Sequence, residues 1–209
     1  MSKALAAWFL IAAATASPAV TPRDVVQGAV ARVISTLEDA KPGQPGEVLT
    51  STRPNADRVR AEIRRIATDL FDFEEIARRA LSRHWAGRTR AEQAEFTGLF
   101  TELLERSYVG KIESYSGEKI VYTGEVVDGT YATVRSRIIT RRRSDTALDY
   151  RLHEIDGRWK VYDVLIDGVS FVSTYRSEFN RVIQSSSYEE LLERLRKKRI
   201  DILAVSGKS

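Results

Sequence analysis

Residues 147–179, ALDYRLHEIDGRWKVYDVLIDGVSFVSTYRSEF, decide the fold. Two alternating stretches flank Asp156-Gly157, a dipeptide suited to a two-residue hairpin turn because glycine accepts positive φ. Leu148, Tyr150 and Leu152 fall on one face of the first strand, and Asp149, Arg151 and His153 on the other. In the second, strict alternation sets Trp159, Val161, Asp163 and Leu165 against Lys160, Tyr162, Val164 and Ile166. Apolar groups thus occur on both faces, so this strand is covered on both sides or lines something other than water.

Working backwards, the same two-residue period holds over residues 119–127 and from residue 130 to about residue 141, joined at Asp128-Gly129. A charged connection, Arg141-Arg142-Arg143-Ser144-Asp145, leads into the quoted stretch. Its arginines sit at a turn, where exposure is the default and contact with lipid phosphate or an acidic partner is the functional alternative. Four consecutive strands with short turns define an antiparallel meander.

Upstream and downstream, the period is helical. Residues 22–39 carry Val25, Val26, Ala29, Val33, Ile34 and Leu37 on one face, and Pro and Gly at residues 41–46 mark a loop. A second helix spans 56–70, and Phe71-Asp72-Phe73 breaks it, with Asp72 read as the N-cap of a short helix to about Ser82. Thr89 and Glu92 form a capping box that opens the longest helix, to about Ser114, with Phe96, Leu99, Phe100, Leu103, Leu104, Tyr108 and Ile112 as its stripe. Helical spacing returns at Val169 and runs to about Gln184, and Ser187 to Glu190 reads as a further capping box before a last helix.

The 209 residues fit one domain with a sizeable core. A net charge of +4 is too small to argue for nucleic acid. With no cysteine, thiol nucleophiles, Cys-based zinc sites, disulfides and a lipoprotein acylation site are all excluded. Residues 1–16 read as a signal peptide: Lys3, an apolar run from Ala4 to Ala14, then the small-residue site Ala14-Thr15-Ala16. Residues 17–209 are expected to form a single exported domain.

Reactive chemistry is sparse. His84 and His153 are the only histidines and neither has a ligand partner at recognisable spacing. No nucleophile elbow, Walker loop or dinucleotide fingerprint occurs. The best enzyme case is an isomerase-like general base at Asp163 or Asp167 near Tyr150 or Tyr162. A structural ion pair of Asp163 with Arg151 or Arg176 is the stronger reading. No catalytic residue, metal or cofactor is expected.

Tyr150-Arg151-Leu152, Trp159 to Val164, Gly168-Val169-Ser170 and Tyr175 to Phe179, with Phe71-Asp72-Phe73, Trp85, Phe100 and Tyr108, resemble the MlaC family. These are toluene-tolerance type periplasmic phospholipid-binding proteins of an ABC-type lipid transport system. The resemblance covers about residues 25 to 200. It implies an α+β fold: a twisted four-stranded antiparallel meander with five to seven helices packed around it, similar to nuclear-transport-factor-like cones with added helices. It further implies a monomeric periplasmic shuttle with a glycerophospholipid as cargo, moving between an inner-membrane ABC transporter complex and an outer-membrane lipoprotein complex and so maintaining outer-membrane lipid asymmetry. A close branch of the family accompanies hopanoid or other isoprenoid lipids, which keeps that cargo as the alternative.

Acyl chains need only an apolar cavity, since each CH₂ kept from water is worth about 0.8 kcal/mol. Alternation places that cavity between the long helix, with Phe100, Leu104 and Tyr108, and the sheet. The sheet side comprises Val121, Val134, Ile138, Tyr150, Leu152, Val161, Val164 and Ile166, and Val169, Phe171 and Val172 close one flank.

Overall fold

The computed structural model describes residues 20–40, 53–140 and 145–197. The expected signal peptide, the loop at 41–46, Arg141 to Arg143 and the basic end of the last helix beyond Lys197 lie outside the described residues. The helices are α1 (Pro22–Asp39), α2 (Arg53–Leu70), α3 (Phe73–Leu81), α4 (Arg90–Glu113), α5 (Phe171–Ser185) and α6 (Tyr188–Arg196). The strands are β1 (Lys119–Asp128), β2 (Tyr131–Ile139), β3 (Asp145–Ile155), β4 (Arg158–Ile166) and β5 (Val169–Ser170). No helix among the described residues is long and apolar enough to cross a membrane.

The sheet is an antiparallel meander in the order β1-β2-β3-β4-β5. The fold class is the expected α+β, with one strand more than the four expected. Asp167 and Gly168 both take positive φ, and the tight turn they make folds Val169 and Ser170 back onto β4 before α5 begins. Val169 is therefore a strand residue and α5 starts at Phe171, two residues later than helical spacing predicts. Asp156 and Gly157 both have positive φ, as a two-residue hairpin of type I′ requires. The β1–β2 turn is centred on Gly129 and Thr130, because Asp128 still pairs with Tyr131 as the last residue of β1.

Capping follows the sequence closely. Thr89 and Glu92 exchange the two bonds of a capping box at α4, and Thr21 and Asp24 do the same at α1. At α6 only one half of the expected box forms: the Ser187 hydroxyl accepts from the Glu190 N–H. Asp72 caps α3 by accepting from the Glu75 N–H at 2.9 Å. Its other carboxylate oxygen meets His153 Nε2 at 3.0 Å, and its own N–H donates to the Val161 carbonyl. One acidic residue thus stops a helix, starts the next and pins both to the sheet.

Among the described residues, two apolar clusters make up the interior. One is purely helical, built from α3, α4, α5 and α6 around Phe96, Phe100, Tyr175 and Phe179, whose rings meet at 4.9 to 5.8 Å. The other joins one face of the sheet (Ala132, Val134, Tyr150, Leu152, Val161) to Val26 and Ala29 of α1 and Ile66 and Leu70 of α2. Phe71, at the α2–α3 break, packs against both.

Candidate functional site: a half-covered apolar face of the sheet

Pairing fixes which side chains share a face. Ala132, Val134 and Ser136 of β2 sit opposite Leu152, Tyr150 and Leu148 of β3. Tyr150 and Leu148 sit opposite Val164 and Ile166 of β4, and Ile138 opposite Ile120 of β1. Two register shifts interrupt the pattern, at Tyr122/Gly124 in β1 and at Arg151/Leu152 against β4. In the second, Arg151 opposes Asp163 while Leu152 opposes Val161, which leaves Tyr162 as the extra residue of a bulge. Val161 and Val164 then share the face of α1 and α2, whereas Tyr162 and Asp163 both turn to the other side. This corrects strict alternation, which puts Asp163 beside Trp159 and Val161, and it explains why β4 reads as apolar on both faces.

The face under α1 and α2 is unevenly covered. At one end Ala132, Val134, Leu152 and Val161 are buried. Towards the other end Ile120, Tyr122, Ile138, Leu148, Val164 and Ile166 are only half-buried, although they are neighbours on the same face. Val30 and Val33 of α1 pack against this cluster and are themselves half-buried. Arg60–Glu113 and Arg64–Glu105, each at 2.8 Å, hold α2 against α4. At the C-terminal end of α4 the half-buried ring of Tyr108 meets Phe171 edge-on at 5.1 Å. A row of apolar groups that is neither packed as a core nor given up to water is what an acyl chain would complete.

The sequence-predicted lining divides accordingly. Val134, Tyr150, Leu152, Val161 and Val164 come together in the sheet cluster, with Ile138 and Ile166 on the same face. Tyr108 and Phe171 meet each other. Phe100 and Leu104 are buried in the helical cluster, because the aromatic stripe of α4 is matched by that of α5, and Val172 is buried in the same cluster beside Asp163 on the far face of β4. Val121 pairs with Arg137 and so projects to the opposite face from Val134 and Ile138. Val169 is 46% exposed on β5. Sequence reasoning missed Ile120, Tyr122 and Leu148 on the sheet and Val30 and Val33 on α1. The apolar stripe of α1 was the available signal, but periodicity does not say which surface a stripe covers.

Asp163 is 4% exposed on the far face. It accepts from the Ser170 hydroxyl at 2.7 Å, the Val172 N–H at 3.0 Å and Arg151 Nη1 at 3.4 Å. The expected ion pair with Arg151 is present, and Arg176 instead reaches Ser173. Asp163 helps line a concavity of about 410 Å³ with Arg78, Arg79, Arg151, Tyr162 and Arg176. A second concavity, of about 310 Å³, lies at the Phe71–Phe73 seam beside Ile155, Arg158 and Lys160. His84 pairs with Asn180 and His153 with Asp72, and the described residues contain no acidic or histidine cluster fit for a metal ion.

Burial pushes the Tyr150 hydroxyl far above the usual tyrosine range, as it does that of Tyr175. Both stay protonated at any physiological pH. Tyr150 interacts with Ser136, whose hydroxyl donates to the Leu148 carbonyl at 2.6 Å.

A two-tier α+β molecule with an incompletely covered apolar sheet face is a fold suited to lodging hydrocarbon. The family model described as MlaC protein matches residues 29–197, and the chain belongs to this family. The toluene tolerance protein ttg2D of Pseudomonas putida is 26% identical over 166 residues, spanning 78% of this chain and 74% of that protein. The intermembrane phospholipid transport system binding protein MlaC of Haemophilus influenzae is 22% identical over 142 residues, spanning 66% of each. Among solved structures, a phospholipid-binding protein of Ralstonia solanacearum in complex with a phospholipid superposes with a TM-score of 0.70 at 26% identity, covering 83% of this chain and 94% of that one.

Proposed function

We propose that this chain is a periplasmic carrier of a glycerophospholipid, exported by the signal peptide read at residues 1–16. Its acyl chains lie on the half-buried end of the sheet face. The observation that carries this reading is the row Ile120, Tyr122, Ile138, Leu148, Val164 and Ile166, in a fold that superposes on a relative solved with a phospholipid bound. Transfer from bilayer to cleft exchanges one hydrocarbon environment for another, so loading and release lie close in free energy. The headgroup stays at the mouth, where its phosphate keeps water. Such a carrier takes its cargo from one membrane-bound complex and delivers it to another, here an outer-membrane lipoprotein complex and an inner-membrane ABC transporter. Asp163 is assigned a structural role, since its hydrogen-bonding capacity is spent on β4, β5 and the start of α5.

Native mass spectrometry of protein purified without detergent from a bacterial periplasm, with solvent extraction of any adduct, tests the reading. The expected result is one glycerophospholipid per chain. An isoprenoid adduct would favour the alternative cargo. A bare mass together with no uptake from liposomes would sink the carrier reading.

A further inference from the structure

Tyr122 stands out on the proposed cleft surface. Its hydroxyl oxygen is buried and has no hydrogen-bond partner among the described residues. A buried hydroxyl is stable only if something accepts from it or donates to it, and folded proteins leave few such groups unpaired. Its nearest polar neighbours in the sheet bond to other groups and not to it. Ser136, directly opposite Tyr122 in the sheet, donates to the Leu148 carbonyl, and Tyr150 interacts with Ser136. Arg23 lies over the Tyr122 ring at 5.8 Å, which engages its face and leaves the hydroxyl free. Burial raises the Tyr122 pKa, so the group is a protonated donor at neutral pH.

Building on the carrier reading, we infer that Tyr122 donates to an ester carbonyl of the bound lipid, and that this bond makes the cleft selective for acyl esters over ether-linked or purely hydrocarbon lipids. The ligand group that fits is an uncharged acceptor attached to a hydrocarbon chain, because beyond Ser136, whose hydroxyl bonds to the Leu148 carbonyl, the neighbouring side chains on this face, Ile120, Leu148 and Ile166, are apolar. A carbonyl at the head of an acyl chain meets both conditions. A phosphate oxygen would bring a full charge among those apolar side chains, and Arg23, which lies over the ring, makes no hydrogen bond at the hydroxyl where that charge would sit. An isoprenoid without a carbonyl would leave the tyrosine unpaired, so the same residue discriminates between the two cargo classes that the family resemblance allows.

The test uses delipidated mature protein offered vesicles containing dioleoyl phosphatidylglycerol and, in equal amount, its diether analogue, with bound lipid quantified by mass spectrometry. The wild-type protein is expected to prefer the ester by about fivefold, the size of one net hydrogen bond. Tyr122→Phe should bring that ratio close to one. The same substitution should raise the melting temperature of the lipid-free protein, by removing an unpaired buried hydroxyl, and should narrow the gain in melting temperature on loading the ester lipid. An unchanged ester preference in Tyr122→Phe, or no preference in the wild type, overturns this inference and leaves the carrier reading standing. Uptake of neither lipid by the wild type overturns both.

Discussion

Asp163 is the residue where a catalytic and a structural reading compete, and its contacts decide between them. A buried carboxylate in search of a substrate proton would keep an oxygen open towards it, whereas Asp163 spends both. One oxygen takes the Val172 N–H at the start of α5, and the other takes the Ser170 hydroxyl and Arg151. Ser170 is at once the N-cap of α5, so the carboxylate braces the junction of strand, turn and helix. Asp163→Asn replaces one of these acceptors with a donor facing donors. It is expected to destabilise the fold by about 2 kcal/mol, the cost of leaving a buried polar group unsatisfied. Urea unfolding should show this as a lower midpoint at constant slope, with lipid stoichiometry unchanged. An unaltered midpoint would refute the bracing role. Although the pairing opposite Arg151 depends on the bulge at Tyr162, a cationic partner for Asp163 was expected, with Arg151 and Arg176 both candidates. The contacts from Ser170 and Val172 were not, because they depend on β5, which two residues are too few to announce.

Among the elements, α3 ties the helical tier to the sheet. Its first-turn Glu75 is gripped by Arg78 at 2.5 Å and Arg79 at 2.6 Å, and Arg79 lies over the Tyr162 ring at 4.0 Å. Burial alone would push the Glu75 carboxyl up, but hydrogen bonds and charge from the two arginines outweigh it and hold the group below the usual carboxylate range. A carboxyl with a depressed native pKa stabilises the fold in full above its unfolded value, near 4.5, and loses that contribution as pH falls through the native value. The difference in unfolding free energy between the wild type and Glu75→Gln should therefore be steady near neutrality and shrink once pH drops below about 4.5. A difference that grows on acidification would contradict the sign of the shift.

Element boundaries were largely legible: the Asp72 cap, the α4 capping box and the meander follow from local chemistry. The faces of β4 were not. Tyr162 is an ordinary strand residue by type, and nothing in the sequence shows that it is the extra residue of a bulge, yet it moves Asp163 and Leu165 across the sheet. The bulge in β1 beside Gly124 had a signal of its own, because glycine within a strand marks such sites.

On the scale of the whole molecule, the chain divides its apolar residues between two clusters joined at Phe71, and the aromatic stripe of α4 serves the helical one. That pairing was hidden in the sequence because a stripe specifies an apolar face without naming its partner. The consequence for the proposed function is a change of wall: α1 and α2 lie over the proposed lipid-facing surface, and Phe100 and Leu104 of the predicted long-helix wall belong to the helical cluster. The central claim is therefore about one face of one sheet. A photoreactive benzoylphenylalanine introduced at Ile138, on that face, or at Val121, on the other, tests it in protein loaded with phospholipid and irradiated. The account predicts a lipid-sized mass increment from position 138 and none from position 121. Labelling at 121 without labelling at 138 would contradict it.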